Sequence, residues 1–145
     1  VAENVRLGRR DLTSAEIREA LQTVGLLEDV HHLPHGMETP LVPSGRPLSL
    51  SQTRRLALAR AIVGRPRLLI LDGALDGLDL AESPELLDRL FDRAAPWTLL
   101  VSSHDPAVTA RCERTIDLSE HDDPPGAEVK RSRDLASSAT GESHS

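Results

Sequence analysis

Apolar residues first recur at helical spacing after Thr13, at Ile17, Ala20, Leu21 and Val24, before Gly25 interrupts the pattern. Thr13 and Glu16 stand three apart at its start, the arrangement of a reciprocal N-terminal cap, so a helix is predicted over about 13–25. Residues 1–12 are short and mixed, with Gly8 and Arg9-Arg10-Asp11 marking a turn. Residues 26–47 carry Pro34, Gly36, Pro40, Pro43, Gly45 and Pro47 and read as mostly loop. Ser49 or Ser51 then caps a second helix running to about Val63, which Gly64 and Pro66 end.

The period changes at Leu68. Leu68 to Leu71 is a continuous apolar run too short for a helix, and a strand buried on both faces, ending at Asp72, is the expectation. Ser83-Pro84 supplies an N-cap and a first helical residue, and Leu86, Leu87, Leu90 and Phe91 form the inward face. Thr98 to Ser102 repeats the buried-strand pattern. Pro106 to about Arg111 reads as a short helix and Thr115 to Leu118 as a last strand. Strands alternating with helices over short connections predict an α/β fold with a parallel sheet flanked by helices. After about Ser119 periodic apolar positions cease, and a disordered tail is expected to Ser145. No internal repeat is present.

Length and charge narrow the classes. A chain of 145 residues suffices for one domain with a modest core. A net charge of −6 argues against a nucleic-acid surface, which needs an excess of basic residues. All basic residues except Lys130 are arginines, which reads as a compositional bias. Cys112 is the sole cysteine, so no intramolecular disulfide can form, and a buried, inert thiol is expected. No apolar run approaches the roughly 18 residues that cross a bilayer. Any membrane link is therefore expected through a partner or through sequence outside this chain.

Several residues could carry chemistry. Asp72 ends a buried strand, where ligands bind in parallel sheets, although a carboxylate there can simply cap the next turn. Ser49 and Gln52 open an Arg-rich helix, whose free N–H groups suit an anion, and a plain N-cap is compatible with that role. Arg54, Arg55 and Arg60 look like an ionic stripe on a solvated helix face, with charge that could also help near a phosphate cleft. His31, His32 and His35 lie in the loop region and read as solvated surface. Asp72, Asp76 and Gly77 hint at a calcium loop, but Ala74 replaces one ligand and Ser83 the closing Glu, so that pattern fails.

Taken together, Leu48-Ser49-Leu50-Ser51-Gln52, the following helix, the strand ending in Asp72 and the turn Asp76-Gly77-Leu78-Asp79 resemble the core of an ATP-binding cassette (ABC) domain. There the signature motif, LSGGQ, leads into the Walker B strand ending in Asp-Glu. Ser102-Ser103-His104-Asp105 is similar to the family's H-loop. Val1-Ala2-Glu3-Asn4-Val5-Arg6-Leu7-Gly8 and Leu33-Pro34-His35-Gly36-Met37-Glu38-Thr39 resemble segments of exporter-type cassettes.

The resemblance implies ATP and Mg²⁺ as cofactors. It makes Asp72 the aspartate that orders Mg²⁺ through its water shell. Ser49 and Gln52 would face the nucleotide of an opposite cassette, Asp76 and Asp79 belong to the D-loop at that dimer contact, and His104 is the switch histidine on the γ-phosphate. Implied partners are a second cassette, in a homo- or heterodimer, and a transporter's transmembrane domain, with no nucleic acid. The implied place is the cytoplasmic side of a membrane, held by helices not in this chain.

Two departures matter. Gly73 occupies the position of the catalytic glutamate and can neither orient nor deprotonate water, a loss costing about 10²- to 10⁴-fold in rate. Leu50 puts a bulky side chain where glycine lets phosphate approach the backbone. No GxxxxGK(S/T) occurs, and the first residue is Val1, not Met. The expectation is the back half of a cassette: a helical signature part at about 1–63, a Walker B to H-loop core at about 64–120 and a tail at 121–145. With an exposed sheet edge, it should be marginally stable or aggregation-prone. The function implied is the ATP-binding portion of an exporter with slow or impaired hydrolysis. Its rivals are a non-enzymatic remnant or interaction module, and a soluble ABC-type ATPase acting on DNA or ribosomes.

Overall fold

The computed structural model describes residues 1–42, 45–78, 80 and 83–118. The chain divides into two compact units, Val1–Ser103 and His104–Ser145. The tail expected after residue 120 lies outside the described residues.

In the first unit, α1 (Ala2–Arg6) precedes α2 (Ser14–Thr23), α3 (Leu27–His31) and a single 3₁₀ turn at Gly36–Glu38. Thr13 and Glu16 form the expected box: the Glu16 backbone N–H donates to the Thr13 hydroxyl, and the Thr13 N–H donates to the Glu16 carboxylate at 2.8 Å. The other end of α2 closes just as locally. The Leu26 N–H donates to the Leu21 carbonyl and the Gly25 N–H to that of Gln22, with Gly25 at φ +67°. This is the Schellman pattern, which needs a left-handed residue at the turn. The apolar stripe Ile17, Ala20, Leu21 and Val24 is buried against α4 (Leu50–Ile62), whose inward residues are Leu56, Ala59 and Ile62. Each large side chain so buried contributes on the order of 1.5–3 kcal/mol.

β1 (Leu68–Asp72) and β2 (Thr98–Ser102) pair in parallel, in the register Leu68 with Thr98 through Asp72 with Ser102. Between them runs α5 (Pro84–Leu90), burying Leu86, Leu87 and Leu90. The strands are where expected, but β1 is buried on one face only. Leu69 and Leu71 point inward, while Leu68 and Ile70 are 54% and 60% exposed, as is Leu100 of β2 at 59%. An unbroken apolar run signals cover on both faces; the described residues supply it on one.

Three further expectations need correction. Residues 1–12 and 26–47 are not only turn and loop, since α1, α3 and the 3₁₀ turn lie in them. Thr115 to Leu118 forms no strand: Ile116 and Leu118 are exposed, and only β1 and β2 occur among the described residues. Ser83 precedes α5 but makes no capping bond with its side chain.

The second unit holds α6 (Pro106–Thr109). Asp105 caps it by accepting from the Ala107 N–H at 2.8 Å, and Val108 is fully buried. The Cys112 thiol lies 3.5 Å from the Val108 carbonyl and is half-buried, less than expected, and desolvation pushes its pKa up. Among the described residues no helix is long and apolar enough to cross a membrane.

Candidate functional site

Ser49 is the N-cap of α4. Its hydroxyl accepts from the Gln52 N–H at 3.2 Å, and the Gln52 side-chain carbonyl accepts from the Ser49 N–H at 2.9 Å. The carbonyl of Ser49 also accepts from the Thr53 N–H at 2.8 Å. Both motif residues thus serve the cap, an interaction typically worth about 1 kcal/mol. The N–H groups of Leu50 and Ser51, in the helix's first turn, are among those that no intrahelical carbonyl can reach. Beside them the Leu50 side chain is 70% exposed.

β1 carries Asp72 to the C-terminal edge of the sheet, exposed and level with Ser102. The chain then turns at once. Gly73 has φ +58°, and the Asp76 N–H closes the turn onto the Gly73 carbonyl at 3.1 Å. A Cβ on Gly73 would stand 3.4 Å from an Asp76 carboxylate oxygen, an ordinary contact. Asp72, Gly73 and Asp76 are therefore gathered in one acidic turn, with Leu75 and Leu78 anchoring it inside. Asp79 lies outside the described residues. His104 is exposed and opens the second unit, and no group of acidic, His or Cys residues among those described could hold a metal by protein ligands alone.

The arginines of α4 differ most from expectation. They do not form a solvated stripe. Arg55 donates through Nη1 to the Gly25 carbonyl at 3.2 Å and through Nη2 to the Ser83 hydroxyl, tying the end of α2 to the start of α5. Arg89 of α5 reaches the same helix end, at the Gln22 carbonyl, 2.6 Å away. Carbonyls at a helix C-terminus lack intrahelical partners and carry the negative dipole end, so guanidinium groups are drawn there. Arg60 donates to the Asn4 side chain, and Arg9 to the Arg60 carbonyl at 3.1 Å. Arg54 lies against Gly77 of the acidic turn: a Cβ there would meet its Cζ at 2.9 Å and its Nη2 at 3.1 Å. Sequence reasoning missed this pairing, for which Gly77 signalled only a turn.

A cavity of about 280 Å³ lies elsewhere, lined by Glu19, Thr23, Ile62, Arg65 and Trp97 among others, and includes none of the motif residues.

No protein-family model matches the chain. Curated proteins do. The ABC transporter ATP-binding protein RamA of Streptomyces coelicolor is 38% identical over 120 residues, 83% of this chain and 19% of RamA. The probable multidrug resistance ABC transporter ATP-binding/permease protein YheI of Bacillus subtilis is 31% identical over 104 residues, 72% of this chain and 18% of YheI. The mitochondrial potassium channel ATP-binding subunit of Rattus norvegicus is 39% identical over 105 residues, 72% of this chain and 15% of its own length. The chain thus spans about a fifth of the length of the curated relatives it matches. On this fold and these matches, the chain belongs to the ABC transporter family. Its type follows from a solved structure, that of a bacterial Atm1-family ABC exporter with ATP bound. It superposes on 78% of this chain with a TM-score of 0.69 and 26% identity, over 20% of that protein's chain. The residues here are a portion of an exporter-type nucleotide-binding domain.

Proposed function

We propose that this chain serves as the signature and Walker B portion of an exporter's ATP-binding cassette, in which nucleotide is bound but hydrolysed slowly. The observation that carries this reading is the junction of Asp72 with Gly73. A strand delivers one carboxylate to the edge of the sheet, and the next position is a left-handed glycine with no side chain. Asp72 is free to order a cation through water, while the base that should follow is gone. The relatives' names supply ATP; Mg²⁺ is the ion that hard oxygen donors beside phosphates select.

The roles are then as follows. Ser49 and Gln52 hold the start of α4 so that its first N–H groups face the nucleotide of an opposite cassette. Leu50 obstructs that approach. Asp76 and Asp79 lie at the cassette dimer contact, and His104 acts as the switch on the γ-phosphate. The residues fit only the edge of a nucleotide site, because no phosphate-cradling glycine loop or its lysine occurs in the sequence. The helical part, about 1–63, and the core, about 64–120, work with a P-loop-bearing half, a second cassette and membrane helices on the cytoplasmic side of a membrane. A non-enzymatic remnant or interaction module is the alternative.

The test joins this chain to a P-loop-bearing N-terminal half of an ABC ATP-binding domain and measures photolabelling by an azido-ATP with Mg²⁺. Labelling that Asp72→Asn weakens is the expected result. Undiminished labelling in Asp72→Asn, or none in the native sequence, overturns the reading.

A further inference from the structure

We propose that Arg55 is a positioning residue of the nucleotide site, acting through Ser83 on the loop that carries the acidic turn. Arg55 sits in the first half of α4, just beyond Gln52 of the capping box. Its guanidinium is anchored on the end of α2, where Nη1 donates to the Gly25 carbonyl at 3.2 Å and, more weakly, to that of Val24 at 3.5 Å. With that side held, Nη2 is presented as a fixed donor, and the Ser83 hydroxyl accepts from it. Ser83 is buried and immediately precedes α5, yet its side chain makes no bond to the helix it should cap. A hydroxyl just ahead of a proline at the first helical position is ordinarily spent on the cap. Here it is spent on α4, 28 residues away in the chain. Position 83 is also where the loop leaving β1 ends. β1 fixes the near end of that loop at Asp72, and Leu75, Leu78 and Leu80 bury its middle. The Arg55 bond ties its far end to the helix that opens with Ser49 and Gln52. Releasing that end should let the turn that holds Asp76 shift against the start of α4. Arg55 itself carries no chemistry there. That the placement of the turn matters for nucleotide rests on the proposed function, but the tether does not.

The experiment has two arms, one without nucleotide, so that the tether and the proposed function can fail separately. The key variant is Ser83→Ala, which removes the acceptor and leaves the guanidinium on the end of α2; it keeps the test alive even where Arg55→Ala fails to fold. The control is Arg89→Ala, which strips a different bond from the same helix end, the one to the Gln22 carbonyl at 2.6 Å, and does not touch Ser83. In the whole chain, amide resonances of 73–78 should shift in Ser83→Ala and stay in place in Arg89→Ala, although Arg89→Ala also lowers the urea midpoint. In the chain joined to a P-loop-bearing half, the Mg²⁺ concentration giving half-maximal azido-ATP photolabelling should rise about 3- to 10-fold in Ser83→Ala, the worth of one ordinary hydrogen bond. Arg89→Ala should leave it unchanged. Arg55→Ala should match Ser83→Ala in this readout and add nothing to it in the double variant, because both remove one bond. Amides of 73–78 that Ser83→Ala leaves in place, or that Arg89→Ala moves as far, would overturn the tether. Shifted amides with an unchanged Mg²⁺ requirement would overturn the positioning role. A native fusion that takes no label would sink the proposed function instead, and the positioning role with it, while the amides still decide the tether.

Discussion

Arg55→Ala should be far more damaging than a surface change. Its guanidinium bridges the Gly25 carbonyl, at 3.2 Å, and the Ser83 hydroxyl, and Ser83 is buried. Hydrogen bonds to charged groups contribute about 1.5–3 kcal/mol each, and a buried hydroxyl left without a partner costs about 1–3 kcal/mol more. Arg55 is only half-buried, so water recovers part of this, and a net loss of about 2–4 kcal/mol is expected. In urea, at an m value of about 2 kcal/mol/M, the midpoint should fall by roughly 1–2 M. Ser83→Ala in the Arg55→Ala background should cost less than in the native one, because the two share a bond. Arg55→Lys should recover only part of the loss, since an ammonium does not offer the guanidinium's fork to two acceptors. A solvated arginine would predict a change within about 0.5 kcal/mol, and a loss that small would refute the bridging role.

Two predictions concern titrating groups. The Glu16 carboxylate is held below the usual carboxylate range by hydrogen bonds from the Thr13 hydroxyl and backbone N–H, helped by Arg65. A depressed folded pKa stabilises above the unfolded value, near 4.5, and the benefit is lost as pH falls through the folded value. Acid titration of helicity should therefore show a loss below about pH 4.5 that Thr13→Ala reduces; an unchanged acid profile would contradict the cap. Cys112 is shifted the other way by desolvation, so iodoacetamide at pH 8 should alkylate it more slowly in the folded chain than in urea. Equal rates would show the thiol to be solvated.

What could be read from the sequence was local. Thr13 with Glu16 and Ser49 with Gln52 reveal their helices because a cap is satisfied within four residues. The local places of Gln52, Asp72 and Asp76, at a helix start, a strand end and the turn after it, were legible because a cap, a short apolar run and a glycine are each local signals. α1 and α3 were not, because five residues hold too little of a 3.6-residue period to register. Nor were the destinations of Arg54, Arg55 and Arg60: a long side chain that finds carbonyls thirty residues away leaves no trace in local pattern. The exposure of Leu68 and Ile70 was hidden for the opposite reason. An apolar run reports what a strand can bury, and the described residues bury one face of it.

Single-turnover ATP hydrolysis would show whether a base is missing after Asp72. The comparison is between the native chain and Gly73→Glu, each joined to the same P-loop-bearing half. The turn has room for a side chain, with the Cβ position 3.4 Å from Asp76, although left-handed backbone costs about 1–2 kcal/mol for a non-glycine residue. Slow native turnover is expected, raised in Gly73→Glu by up to about 10²- to 10⁴-fold, less whatever that strain withholds. Native turnover already as fast as that of Gly73→Glu would contradict it.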